Sequence, residues 1–162
     1  MKRFLLILAA LPLLLCSCGR QSSAHEVLCR ASGLITFPAS YILYSSEAAG
    51  GEGYLDSDNM ALLYPDGTDV RALCADYAVL VGSTDIPYEV HILHARARSC
   101  RDELESALTY RKDMIQLRKN EGFRAGYREG VESARVFCRG NYAFLIVAPD
   151  ADKTAAAIKK VL

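Results

Sequence analysis

The chain has 162 residues, and its 19 lysines and arginines are balanced by 19 aspartates and glutamates. Without Lys2 and Arg3, which precede an apolar N-terminal run, it is slightly acidic. That charge argues against nucleic acid as a partner, since nucleic-acid-binding domains are usually basic. The length suffices for one domain with a real hydrophobic core.

The first predicted element is an export signal. Lys2 and Arg3 are followed by an apolar run from Phe4 to Leu15 and then by small residues. This arrangement is typical of bacterial export signals. The run is also shorter than the ~20 residues that a membrane-spanning helix needs.

The residues after that run, Leu15-Cys16-Ser17-Cys18, resemble the lipobox of bacterial lipoproteins, with Leu at −3, a small residue at −1 and Cys at +1. This predicts lipid attachment at Cys18. Cys16 is the poorer candidate because Leu15 would occupy its −1 position. The resemblance implies a diacylglyceryl group on the thiol, and two acyl chains give stable anchoring. Ordinary secretion and a retained transmembrane anchor are the alternatives.

The chain is therefore divided into a signal peptide over 1–17, a tether over 18–24 and a single domain over 25–162. Four cysteines remain after processing: Cys29, Cys74, Cys100 and Cys138. Outside the cytoplasm they form a possible disulfide pool with three pairings, and buried free thiols are the alternative. The absence of Cys-x-x-Cys argues against thioredoxin-like redox chemistry and a zinc knuckle.

Four short elements are predicted in the first half of the domain. A helix over 25–35 would turn Val27, Leu28, Ala31, Leu34 and Ile35 inward and end before Pro38. Residues 47–53, with three glycines, predict a flexible loop. Asp56 or Ser57 would cap a helix that continues to about Tyr64, and Asp69 would cap a further turn over 70–73.

The pattern then changes to strands. Residues 77–81 form an apolar run with β-branched side chains, and residues 88–95 alternate. The second strand would place two sets of side chains on opposite faces of the sheet: Tyr88, Val90, Ile92 and His94 on one, and Glu89, His91 and Leu93 on the other. These strands predict an antiparallel pair.

A long helix follows, opened by a Ser99-x-x-Asp102 capping box. Its inward face would carry Cys100, Leu104, Ala107, Leu108, Met114 and Ile115, and its outer face Arg101, Glu105, Arg111 and Lys112. Gly122, Gly126 and Gly130 predict an irregular connection over 122–133. A hairpin then turns at Gly140-Asn141, with a central second strand over 142–148, and a last helix covers 151–162.

The predicted fold class is α+β: a small antiparallel sheet in β-β-α-β-β-α order, preceded by short N-terminal helices, with helices packed on one face.

The stretches "LLYPDGTDVRALCADYAVLVGS", "YEVHILHARARS" and "GNYAFLIVAPDADKTAAAIKK" resemble the bacterial domain of unknown function 4358, over about residues 60–162. That resemblance implies a small lipoprotein of Gram-positive bacteria. Glu89 occupies a position where members often carry Glu. No activity is assigned to that family, so the resemblance implies no catalytic residue.

Candidate sites are weak. His91 and His94 would face opposite sides of a strand, which argues against a shared metal and predicts one buried and one exposed histidine. Asp56-x-Asp58-Asn59 lacks the later ligands of a calcium loop. Cys74 or Cys138 could meet His91 across the sheet, but nucleophilic catalysis also needs a third, orienting group. We predict no catalytic residue, metal or cofactor.

The sequence favours a membrane-anchored, extracytoplasmic lipoprotein that acts as a non-enzymatic binding or accessory module of the cell envelope. Its expected partners are the membrane, through the anchor, and an envelope protein or wall polymer. The alternative is an envelope enzyme acting on wall or peptide material. A pocket holding Glu89 near a His or Arg would favour that enzyme.

Overall fold

The structure, a computed structural model, describes residues 21–36, 41–48, 50–82, 87–118 and 127–162. The predicted signal peptide, Cys18, Gly122 and Gly126 lie outside these residues. The described part contains six α-helices and a five-stranded antiparallel sheet, which confirms the α+β class.

In chain order the elements are helix α1 (Ala24–Ser32), strand β1 (Tyr41–Ser45), helices α2 (Ser57–Leu63) and α3 (Val70–Leu73), strands β2 (Cys74–Gly82) and β3 (Glu89–Ala95), helices α4 (Arg101–Leu117) and α5 (Tyr127–Glu132), strands β4 (Arg135–Arg139) and β5 (Tyr142–Val147), and helix α6 (Ala151–Val161). The strands are ordered β1-β2-β3-β5-β4. The predicted pairings of β2 with β3 and of β4 with β5 are confirmed.

Strand β5 is central, as its apolar sequence predicted: it lies between β3 and β4, and all six residues are buried. Strand β1 was not predicted. It is a five-residue edge strand whose first two residues, Tyr41 and Ile42, are exposed. It therefore lacks the clear alternation of a half-buried strand.

Helices cover both faces of the sheet, so the prediction of helices on one face is wrong. Alternate residues of β5 enter two separate cores. Ala143, Leu145 and Val147 pack in the core under α2 to α5. Tyr142, Phe144 and Ile146 pack in the core under α1 and α6. The continuous apolar run of β5 is explained by burial on both faces.

Helix capping was predicted correctly at two positions and wrongly at a third. The side chains of Asp56 and Asp69 cap α2 and α3. Ser99 instead lies in a 3₁₀ turn, Arg98–Cys100, and no side chain caps α4. The capping box of this fold is at α1, where Ser23 and Glu26 bond each other's backbone N–H groups.

The tether ends earlier than predicted, because Ala24 is the first residue of α1 and is fully buried. Val27, Leu28 and Ala31 are buried as predicted. Leu34 is exposed rather than inward, since it follows the end of the helix.

Two glycines are required by local geometry. Gly140 begins the β4–β5 turn with a φ of +58°, whereas Asn141 has no positive φ. Gly130 lies in α5, where a Cβ would meet the backbone N of Pro149 at 2.9 Å. The described end of the 122–133 connection is therefore a helix pressed against the segment that follows β5.

Candidate functional site

Glu89 and His91 lie two residues apart on β3, so their side chains point to the same face of the sheet. That face is covered by α2 to α5. His91 is fully buried, and 6% of the Glu89 side chain is exposed. A buried carboxylate is costly unless it is paired and hydrogen-bonded, so its partners decide what this pair can do.

Arg111 of α4 pairs with this carboxylate. Its Nη2 donates to Oε1 of Glu89 at 2.6 Å, and its Nε donates to Oε2 at 3.1 Å. Such two-pronged bonds are among the strongest that a guanidinium makes. The prediction that Arg111 lies on the outer face of the helix is wrong, because its long side chain reaches back to the sheet and is only 21% exposed.

His91 uses both ring nitrogens inside the protein. Its Nε2 lies 2.8 Å from Oε2 of Glu89, and its Nδ1 lies 2.6 Å from the hydroxyl of Tyr64. A carboxylate can only accept, so Nε2 carries the proton and Nδ1 accepts from the Tyr64 hydroxyl. Tyr64 immediately follows α2 and is 1% exposed.

The charges of this cluster follow from burial and pairing. Burial opposes ionisation of Glu89, but hydrogen bonds and attraction from His91 and Arg111 outweigh it and lower the pKa of the carboxyl to about 2. Burial lowers the pKa of His91 despite the neighbouring carboxylate. Burial also raises the pKa of Tyr64 well above its ordinary value. Glu89 and Arg111 are therefore a charged pair beside a neutral histidine and tyrosine.

We call Tyr64, Glu89, His91 and Arg111 the buried network. It ties three elements together: the end of α2, strand β3 and helix α4. A surface groove touches this network at Tyr64. It is lined by Ser57, Ala61, Tyr64, Gly67, Thr68, Asp69 and Val70. Because Tyr64 is almost fully enclosed, the groove does not expose the imidazole or the carboxylate behind it.

A second polar cluster lies on the opposite face of the sheet and consists of Asp76, His94 and Tyr142. Oδ2 of Asp76 lies 2.7 Å from Nδ1 of His94, and the imidazole stacks on the Tyr142 ring at 4.5 Å between centroids. The 12% exposed side chain of His94 places this cluster at the rim of the sheet. We call it the rim cluster.

The rim cluster fastens the start of α1 to the sheet. The backbone N–H of Ala24 donates to Oδ1 of Asp76 at 2.6 Å. The Tyr142 hydroxyl donates to the carbonyl of Ser22. The first described residues are thus fixed against β2 and β5.

The two histidines of β3 and the suggested Cys–His contact differ in part from their predicted placement. His91 and His94 do face opposite sides, but His94 is partly buried rather than exposed. The suggested contact of Cys74 or Cys138 with His91 is not formed, because Glu89 and Tyr64 occupy both ring nitrogens.

All four described cysteines are free: Cys29 exposed, Cys74 buried, Cys100 and Cys138 partly buried. Burial raises the pKa of Cys74 to about 12 and that of Cys138 to about 11, so both are protonated thiols at neutral pH. The Cys–His contact that forms is at the surface, with Sγ of Cys29 3.3 Å from Nε2 of His25. Their four-residue spacing in a predicted helix was the signal for it.

The part of the chain that the structure describes contains neither a candidate metal site nor a candidate membrane span. No three His, Cys, Asp or Glu side chains in that part of the chain are grouped so that they could hold a metal ion. No helix there is long and apolar enough to cross a bilayer.

Sequence reasoning missed the buried network as a unit. Glu89-x-His91 on an alternating strand was a signal that the two side chains share a face. Tyr64 lies 27 residues from His91 along the chain, and Arg111 lies 22 residues from Glu89, so no local pattern joins them.

Comparisons with known proteins identify no relative of this fold and site. No family model, curated protein or solved structure matches the chain. The resemblance to the domain of unknown function 4358 therefore stays a prediction.

Proposed function

We propose that this protein is a lipoprotein anchored through Cys18 on the extracytoplasmic face of a cell membrane, where it serves as a non-enzymatic binding or accessory module of the envelope. The observation that carries the proposal is the lipobox-like Leu15-Cys16-Ser17-Cys18 after a short apolar run. The expected partners are the membrane, through the anchor, and an envelope protein or wall polymer.

The attachment of Ser22 and Ala24 to the sheet supports the anchoring part of this proposal. Tyr142 and Asp76 hold Ser22 and Ala24 in place. A lipid on Cys18 would therefore be joined to a fixed point of the fold through very few residues, and the domain would be held close to the bilayer.

The buried network supports the non-enzymatic part. Glu89 and His91 are the residues best suited to acid–base chemistry, and their polar atoms bond to Arg111, to Tyr64 and to each other. A general base must reach the proton that it removes. Burial and pairing make these groups suited to holding α2, β3 and α4 together.

Two serine variants of the full-length protein test the anchoring. Cys18→Ser should incorporate no labelled fatty acid and should leave the membrane fraction or accumulate as an unprocessed precursor. Cys16→Ser is the matched control and should be labelled and membrane-bound like the natural protein. Labelling of the Cys18→Ser variant at the natural level would contradict the proposal.

An envelope enzyme acting on wall or peptide material is the second candidate. Glu89 lies beside both a histidine and an arginine, which is the arrangement that would favour catalysis if a substrate could reach it. Diethyl pyrocarbonate, which modifies accessible neutral histidines, distinguishes the two candidates. We expect His91 to react at least about tenfold more slowly than His25, because modification requires local opening. Equal rates would favour the enzyme.

A further inference from the structure

The chain leaves the described domain at Gln21, beside the β4–β5 turn and the end of α6. A groove at this point is lined by Gln21, Ser22, Arg139, Gly140, Tyr142 and Leu162. The Tyr142 hydroxyl donates to the Ser22 carbonyl, and the guanidinium of Arg30 donates to the Ser22 hydroxyl. These bonds fix the position of Ser22, next to the point where the chain leaves the described domain.

The distance from this exit to the proposed anchor is short. Three peptide units separate Cys18 from Gln21, and even fully extended they span at most about 11 Å. Acyl chains on Cys18 would lie in the bilayer, which places that residue at the headgroups. The exit would then lie within about one and a half Debye lengths of the lipid charges, since the Debye length is about 8 Å in physiological salt.

Four exposed cations lie on the elements that meet at or near the exit: Arg30 of α1, Arg139 of β4, and Lys159 and Lys160 of α6. The ammonium of Lys159 lies over the Phe137 ring, 4.6 Å from its centroid. Nη1 of Arg139 donates to the carbonyl of Lys159 at 2.7 Å, which joins the β4–β5 turn to the end of α6. The side chain of Leu162, which is 39% exposed, adds an apolar tip at the same place.

The carboxylates near the exit are bonded within the fold, and Glu26 lines a neighbouring pocket together with Ser22 and Arg30. The backbone N–H of Ser23 donates to Glu26 at 2.9 Å, and the Ser23 hydroxyl donates to Glu47 at 2.8 Å. Asp76 is engaged by His94 and by the N–H of Ala24. Glu47 and Asp76 therefore bond Ser23 and Ala24, and Glu26 bonds the N–H of Ser23 beside Arg30. Arg139 and Leu162 instead line the groove that holds Gln21.

We infer that Arg30, Arg139, Lys159, Lys160 and Leu162 form a tether-exit surface that docks on anionic lipid headgroups. The inference rests on the proposed lipid anchor at Cys18, because the short tether is what brings this surface to the bilayer. Basic residues close to an anionic leaflet add attraction, and a basic patch is a common second signal beside acyl chains. Docking on lipid would turn the rest of the domain toward a partner.

Lysine acetylation tests this orientation and has an internal control. The full-length lipidated protein is reconstituted into vesicles of phosphatidylcholine alone or with about 30% phosphatidylglycerol, and N-hydroxysuccinimide acetate labelling is quantified by mass spectrometry. Lys159 and Lys160 should label at least about twofold more slowly on the anionic vesicles, and about 0.5 M salt should remove the difference. Lys153, exposed near the start of the same helix, should label equally on both.

Two variants sharpen the result. Arg139→Gln should reduce the protection of Lys160 on anionic vesicles. Arg135→Gln, at the other end of β4, should leave that protection unchanged.

The same samples separate the inference from the proposed function. A lipidated Cys18 peptide together with equal labelling of Lys153, Lys159 and Lys160 on both vesicles would overturn the tether-exit surface alone. An unlipidated Cys18 would overturn the proposed anchor and this inference together.

Discussion

His91 and His94, three residues apart on β3, lie on opposite faces of the sheet and have different surroundings. His91, in the buried network, is fully enclosed and bonds Glu89 and Tyr64. His94, in the rim cluster, stacks on Tyr142, bonds Asp76 and keeps part of its side chain in solvent. Each imidazole has a carboxylate partner, so the difference lies in burial and in the cation Arg111.

The comparison shows how a carboxylate is accommodated at each depth. Within the core, Glu89 is kept ionised by two bonds from Arg111 and one from His91. At the rim, Asp76 is bonded by His94 and by the N–H of Ala24, and its side chain is partly exposed to solvent. Removal of a partner should therefore be costly in the buried network and mild in the rim cluster.

The largest effect is expected from Arg111→Met. This change leaves the Glu89 carboxylate buried without its cation, which typically costs about 3–5 kcal/mol of unfolding free energy. Lys112→Met is the matched control, because Lys112 is similarly half-buried but pairs with Asp113, whose carboxylate is 59% exposed. Pairs with such an exposed partner contribute at most about 1 kcal/mol. Urea denaturation measures both. Equal small losses would mean that the buried network does not hold α4 to β3.

Lowering the pH should also reduce the stability that the buried network contributes. Folding lowers the pKa of Glu89 to about 2, from about 4.3 in an unfolded chain. The stabilisation is therefore complete above about pH 4.3 and is lost as the pH falls toward 2, by up to about 3 kcal/mol.

Protonation of His91 should also lower the free energy of unfolding, and it should do so at a higher pH than protonation of Glu89. Burial lowers its pKa in the fold, so the unfolded histidine binds its proton first and stability begins to fall below about pH 6.5. Unfolding free energies measured from about pH 8 to pH 3 should show both losses. His91→Gln should remove the earlier step, and His25→Gln should retain it. A flat profile from pH 8 to about pH 4 would contradict the His91 assignment, and the absence of a further loss between about pH 4 and pH 3 would contradict that of Glu89.

A smaller effect is expected from Tyr64→Phe. The variant keeps the ring but leaves Nδ1 of His91 as a buried acceptor without a donor, which costs about 1–3 kcal/mol. Tyr110→Phe, on the exposed surface of α4, should change stability by less than about 0.5 kcal/mol. If the two variants proved equally stable, the hydroxyl of Tyr64 would not be part of the buried network.

The smallest effect belongs to the rim cluster. Asp76→Asn retains Oδ1 as an acceptor for Ala24 and removes the negative charge beside His94. We expect a loss of about 0.5–1.5 kcal/mol, measured by the same denaturation. A loss as large as that of Arg111→Met would end the distinction between rim and core.

Local patterns predicted the parts of this fold that depend on neighbouring residues. The caps at Asp56 and Asp69, the Gly140 turn and the central place of β5 follow from side-chain chemistry and apolar runs of a few residues. The Ser99 cap failed because a 3₁₀ turn precedes α4 and takes up the residue that would have capped it.

Features that depend on distant contacts were not predictable in this way. Strand β1 is defined by its pairing with β2, and coverage of the second face depends on where α1 and α6 return. Because its neighbours on α4 are polar, Arg111 is predicted to lie on the surface. Only the position of Glu89 on β3 explains its burial. The candidate site consists of such contacts, so the sequence supplied Glu89 and His91 but not their connection.

The central claim, a lipid on Cys18, is tested most directly by mass spectrometry of the N-terminal peptide of the protein purified from its own membrane. The account predicts a peptide that begins at Cys18 and carries a diacylglyceryl group on the thiol. A peptide that begins at another residue, or an unmodified Cys18, would contradict it.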